Sequence, residues 1–124
     1  MNAGTEERRE WAIRHDRCWV CGATDYRGFP LETHEIERRS QALKRWMHKC
    51  NYFRTCKICH MDELATMRHA QQLAYKYLYD HDESDREQWL RLRDPELTAP
   101  HRVTAHEIAA KVTQLQEEGH PKWK

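Results

Sequence analysis

The chain has 124 residues, 39% hydrophobic and 33% charged, with a mean hydropathy of −1.07 and a formal net charge of +1. That length suits one domain, and a chain so polar builds a small core that benefits from a metal staple. No apolar run reaches membrane-spanning length, and Met1 to Arg17 is too charged for a secretion signal, so no membrane association is expected and a reducing, cytoplasmic setting is.

In chain order, Thr5 caps a predicted helix running to about His15, with Glu6 and Glu7 in its first turn and Trp11 and Ile13 as its apolar side chains. Residues 22–30 carry Gly22, Gly28 and Pro30 and read as turn and loop. Leu31 to Ile36 alternates loosely, as a short strand does. Arg38 to His48 has helical composition, with Leu43, Trp46 and Met47 on one side. Tyr52 to Thr55 is a second strand. A single long helix is expected from about Lys57 to Tyr79, with Met61, Leu64, Ala65, Leu73, Ala74, Tyr77 and Leu78 as its buried stripe. Asp80 to Asp85 is an acidic break. Ser84-x-x-Glu87 opens a short helix carrying Trp89 and Leu92, and Thr104-x-x-Glu107 opens another with Ile108, Val112 and Leu115. Gly119-His120-Pro121 ends it, leaving a loose tail. The whole is an α+β, mostly helical single domain.

Two Cys-x-x-Cys pairs stand out, Cys18-Trp19-Val20-Cys21 and Cys56-Lys57-Ile58-Cys59. One such pair is compatible with redox chemistry. Two in a short chain offer the four thiolates of a tetrahedral Zn²⁺ site. Gly22, directly after Cys21, lets the backbone fold back beneath the ion. The 34 residues between Cys21 and Cys56 exceed the linker of a short zinc ribbon, so that segment has structure of its own. Cys50 fits neither pair and reads as a small buried residue.

The charge is unevenly placed. Arg38, Arg39, Lys44, Arg45, Lys49, Arg54 and Lys57 fall in twenty residues that contain no Asp or Glu. Interleaved with Trp46, Tyr52 and Phe53, they read as a phosphate-facing surface, against the plainer reading of a solvated helix face.

Between the cysteine pairs lie Leu31-Glu32-Thr33-His34-Glu35-Ile36 and Asn51-Tyr52-Phe53-Arg54-Thr55-Cys56-Lys57-Ile58-Cys59-His60. Over about residues 10–70 this resembles an HNH endonuclease, with a strand ending in His-Glu-Ile and an Asn five residues before a Cys-x-x-Cys-His that opens a helix. The resemblance implies a ββα-metal core for that stretch and a C-terminal helical extension over 71–124. It implies cleavage of DNA phosphodiester bonds, in a protein of the small phage type. It makes His34 and His60 ligands of a catalytic Mg²⁺ or Mn²⁺ and Asn51 the residue that orients the hairpin. Cys18, Cys21, Cys56 and Cys59 become a structural zinc site. Arg38, Arg39, Lys44, Arg45, Arg54 and Lys57 become candidate DNA contacts.

Glu35 stands where such enzymes carry a general-base His. A carboxylate is the weaker base by about two pKa units. Four readings are open. Glu35 is the base; it joins the metal, which prefers oxygen; the site is degenerate and the chain only binds nucleic acid; or His34 itself is the base. A protein-interaction adaptor is a further alternative. His15, His48, His69, His81, His101, His106 and His120 lie outside this register and read as surface or packing residues. Specificity, oligomeric state and biological role have no sequence signal.

Overall fold

The computed structural model describes residues 3–36, 49–80 and 103–123. Among them are four helices and two small antiparallel sheets. Helix α1 spans Ala3–Arg14, starting slightly before the expected Thr5. Its core side chain is Trp11. Ile13 is 71% exposed, because two residues along a helix are about 200° around it.

Residues 22–30 are more ordered than turn and loop. β1 (Asp25–Tyr26) and β2 (Phe29–Pro30) form a hairpin around Arg27 and Gly28. Both turn residues take positive φ, 49° and 87°, as a type I′ turn requires. Asp25 Oδ2 accepts the Gly28 N–H at 3.1 Å.

β3 (Glu32–Glu35) and β4 (Tyr52–Thr55) pair antiparallel, within the two stretches expected to be strands. Glu32 lies opposite Thr55, His34 opposite Phe53 and Glu35 opposite Tyr52. A 3-10 turn at Lys49–Asn51 precedes β4, and Asn51 O accepts the Ile36 N–H at 2.8 Å, closing that end of the sheet. The expected helix over Arg38–His48 and the side chain of Cys50 lie outside the described residues.

The single helix expected from Lys57 to Tyr79 is in fact two. α2 spans Lys57–Asp62 and α3 spans His69–Tyr79. Between them the Leu64 N–H bonds back to Cys59 O, Thr66 and Met67 bond three residues back, and Arg68 is extended. Nothing in Glu63 to Arg68 forbids helix. Packing decides, because the turn buries Leu64 while α3 lays Leu73, Ala74, Tyr75, Leu78 and Tyr79 into the core. Met61, Ala65 and Tyr77, expected on the buried stripe, are exposed.

α4 (Ala105–Glu117) packs on α3 through Ile108, Val112 and Leu115. Thr104 Oγ1 accepts the Glu107 N–H at 3.1 Å, as the capping pattern predicts. The helix expected after Ser84 lies outside the described residues. The tail after Gly119 is docked rather than loose. His120 is buried, and the Tyr79 hydroxyl donates to its Nδ1 at 2.5 Å while accepting the Lys122 N–H at 2.9 Å. The Trp123 ring lies 4.8 Å from that of Tyr79.

Burial lowers the His120 pKa from its ordinary value, the Lys122 charge adds to this, and Glu118 opposes it. Protonation therefore favours the undocked tail. The stability that this histidine contributes is fully present above about pH 6.5 and is lost as pH falls through its lowered folded value. Acidification is expected to broaden or shift the NMR signals of Tyr79 and Trp123 before those of Trp11 and Trp19.

The core is a chain of aromatic rings. Trp11 meets Trp19 and Tyr52 edge-on at 5.7 and 5.4 Å, Trp19 meets Phe53 at 4.8 Å, and Phe53 meets Tyr75 at 5.9 Å. It thereby joins α1, the first cysteine loop, β4 and α3. Lys76, 1% exposed, ends inside this core. Its Nζ donates to Lys49 O (3.0 Å), Tyr52 O (2.9 Å) and Asp80 Oδ2 (2.5 Å), and lies over the Trp11 and Trp19 rings. Those two indole N–H groups are buried with no hydrogen-bond partner among the described residues. Attraction of the ammonium to both ring faces offsets part of that cost. No described helix is long and apolar enough to cross a membrane.

Candidate functional site

The four cysteines predicted as a clamp form one cluster. Their sulfurs all lie within 4.8 Å of one another, and Cys21 Sγ is 3.7 Å from Cys56 Sγ. Tetrahedral bonds of about 2.3 Å to one Zn²⁺ put sulfurs about 3.8 Å apart, so the residues fit a structural metal such as zinc. Two local devices aim them. In the first pair, Gly22 takes φ 79° and its N–H returns to Cys18 O at 2.8 Å. In the second, Cys56 caps α2 and Cys59 follows in its first turn. Val20, Tyr26, Leu31 and Ile58 cover the cluster, while Cys21 remains exposed.

Burial pushes the Cys59 thiol far up, and its thiolate neighbours push it further. Burial and the Cys18 charge also raise Cys21. Cys18 goes the other way. Burial raises it, but N–H groups of Cys21, Cys56 and Val20 aimed at its sulfur outweigh that. Four thiolates in this space therefore call for a dication, which deprotonates them on binding.

A second cluster also draws on α2. His34 on β3 and His60 on α2 bring Nδ1 and Nε2 to 3.1 Å. Two nitrogens bonded to one cation at roughly 2.1 Å, at an angle between about 90° and 110°, lie about 3.0–3.4 Å apart. The spacing of the pair falls in that range. His60 Nδ1 donates to Glu32 Oε1 at 3.2 Å, and His34 Nε2 lies 3.2 Å from Gln72 Oε1. No third His, Cys, Asp or Glu among the described residues joins them in a ligand group.

Strand alternation sorts the neighbours. Glu32 and His34 point to His60. Thr33 and Glu35 point to α1, where Arg8 pairs with the Glu35 carboxylate and donates to Thr33 O at 2.6 Å. Glu35 borders the cavity beside the histidines, but its carboxylate is turned to Arg8, whose guanidinium also lies 5.2 Å from the Tyr52 ring centre. Burial pushes the Tyr52 hydroxyl up to about 12, against the opposing pull of Arg8.

The cavity is about 460 Å³. His34, Glu35, His60, His69 and Gln72 give it a polar side, and Ile36, Leu64, Ala65 and Met67 an apolar one. Asn51 is fully buried at the end of the sheet rather than in the cavity. Arg54, read from the sequence as a DNA contact, commits its guanidinium to His15 O, Leu31 O and Thr33 Oγ1. It braces the sheet instead. Lys57 holds its ammonium 3.6 Å from the centre of the Phe29 ring, on the hairpin side. Arg38, Arg39, Lys44 and Arg45 lie outside the described residues. Four residues that touch or border the site are not among those singled out from the sequence: Arg8, Glu32, His69 and Gln72. Glu32 alone was findable, since a strand places it on the face of His34.

Comparison with protein-family models, with curated proteins and with solved structures returns no match. Function therefore rests on the chemistry of these two clusters.

Proposed function

We propose that the chain is a metal-dependent endonuclease of the HNH type that hydrolyses DNA phosphodiester bonds. The Cys18, Cys21, Cys56 and Cys59 cluster holds a structural Zn²⁺, and His34 with His60 holds a catalytic divalent cation. The observation that supports this most is the pair of imidazole nitrogens 3.1 Å apart in the lining of a cavity, on a two-stranded sheet followed by a helix. In this reading β3, β4 and α2 are the ββα-metal core.

A divalent cation bound there supplies Lewis-acid activation of the scissile phosphate and neutralises charge on the leaving oxygen. The chain does the rest. His34 and His60 fix where the phosphate sits. Glu32 and Gln72 hold the rings. Glu35, the only carboxylate among the described residues that line the cavity, takes the proton of the attacking water once Arg8 releases it. Imidazole ligands favour Mn²⁺ or a later transition ion over Mg²⁺, so Mn²⁺ is expected to support the faster reaction. The partner is DNA, held by phosphate contacts outside the described site.

The test is plasmid cleavage by the zinc-loaded protein with Mn²⁺ or Mg²⁺. Cleavage is expected, with a loss of at least about a hundredfold in His34→Ala and in His60→Ala. Glu35→His should keep or raise the rate, and Glu35→Ala should lower it about a hundredfold. Undiminished cutting in the double histidine variant would remove the proposed site. The Arg8–Glu35 pair favours one rival, a catalytically silent zinc module that binds nucleic acid. Salt-sensitive DNA binding without cleavage in any divalent metal would select it.

A further inference from the structure

We infer that Gln72, on the helical extension, is a positioning residue that sets the tautomer of His34 and so leaves the nitrogen that faces His60 without a proton. This rests on the reading of His34 and His60 as a cation-binding pair, and it deepens that reading.

The orientation of the Gln72 amide is fixed. Its Nε2 donates to Met67 O at 3.1 Å, so its Oε1 is the atom turned to His34. An amide oxygen only accepts. His34 must therefore carry its proton on Nε2, leaving Nδ1 as an electron-pair donor. Across the gap, Glu32 accepts from His60 Nδ1, which leaves His60 Nε2 in the same state when that ring is neutral. The two nitrogens that approach to 3.1 Å are the two that these outer partners strip of protons. Two lone pairs face each other, an arrangement that repels unless a positive centre lies between them. Outer-shell acceptors of this kind fix ring orientation and raise ligand basicity.

The fold goes to some length to deliver Gln72. It lies twelve positions after His60. In an unbroken helix those positions would be about 18 Å apart along the axis, too far for a side chain beside His34. The turn between α2 and α3 folds the chain back, and Met67, at that turn, supplies the carbonyl that orients the amide. One turn further on, Lys76 bolts α3 to the start of β4 through Lys49 O and Tyr52 O. Gln72 itself is buried. The extension beyond residue 70 is thus part of the site, not packing alone.

Long-range ¹H–¹⁵N correlation spectra of the zinc-loaded protein, followed over pH to the neutral-ring form, read the tautomers directly. The wild type is expected to show His34 protonated on Nε2. Gln72→Met, close in shape, should shift that proton at least partly to Nδ1 and weaken Mn²⁺ binding about 10- to 100-fold. Its cysteine ¹³Cβ shifts should stay in place. Gln72→Glu, which keeps an acceptor, should retain the Nε2 proton. An Nδ1 proton on His34 in the wild type or in Gln72→Glu would overturn the inference. So would unchanged tautomer and Mn²⁺ affinity in folded Gln72→Met. If Gln72→Met does not fold, the wild type and Gln72→Glu decide. The spectra need neither DNA nor turnover, so an inactive protein with these tautomers would count against the nuclease reading and not against this one.

Discussion

Stripping the metal from the four-cysteine cluster is expected to unfold the chain. A structural Zn²⁺ contributes roughly 10–16 kcal/mol in small metal-folded domains, as much as or more than the about 5–15 kcal/mol by which a whole domain is stable. The leverage here is direct. Trp19 sits between two ligands of the cluster, fully buried, and meets both Trp11 and Phe53. Its backbone N–H donates to Arg54 O on β4 at 3.1 Å. Losing the cluster therefore releases the ring that joins α1 to the sheet. Excess chelator under reducing conditions should abolish the near-ultraviolet circular dichroism and the cooperative melting transition, and Cys59→Ser should behave alike. Acid should act in the same direction. With Cys21 and Cys59 raised, binding displaces close to one proton from each of these two thiols, so affinity should fall by at least about a hundredfold per pH unit as pH drops near neutrality. A metal-free protein with the native spectrum would refute this.

Asp80→Ala is expected to cost about 3–5 kcal/mol, the penalty for leaving a buried ion without its opposite charge. Lys76 and Asp80 are 1% and 2% exposed, and the carboxylate also lies 3.5 Å from His15 Nε2. The group ties α3 to α1 and to β4 at once. Removing the charge altogether is a different matter. Lys76→Met with Asp80→Leu should recover part of the loss, since it removes the unpaired buried charge but also the bonds to Lys49 O and Tyr52 O. Urea unfolding of the metal-loaded variants gives both values. A change under about 1 kcal/mol in Asp80→Ala would mean that water reaches the ammonium. Because Lys76 lies one turn from Gln72, Asp80→Ala should also weaken cation binding at the proposed His34–His60 site.

Much of this was legible in the residues themselves. The cysteine quartet was, because ligation demands close spacing that survives in sequence. So were β3 and β4, whose composition and flanking turns agree with their packing. The α2–α3 break was not, since Glu63 to Arg68 carries no Gly or Pro and only tertiary burial of Leu64 decides it. The stripe failed for the same reason. Once the helix is cut, Met61 and Tyr77 fall off the buried face. Gln72 was invisible because its meaning is non-local. It becomes a site residue only through a partner 38 positions away. The docked tail was hidden by a polar sequence in which His120 and Trp123 alone hinted at burial. Glu35 reads differently from the two directions. The family resemblance implies the base position, and the ion pair with Arg8 turns its carboxylate aside.

The most direct measurement is pulsed electron paramagnetic resonance on Mn²⁺ added to the zinc-loaded protein, with and without ¹⁵N-labelled histidine. One Mn²⁺ coupled to two imidazole nitrogens is the expected result, with one coupling lost in His34→Ala and the other in His60→Ala. Mn²⁺ that shows no histidine nitrogen, or the same couplings after both substitutions, would contradict a cation shared by these two rings.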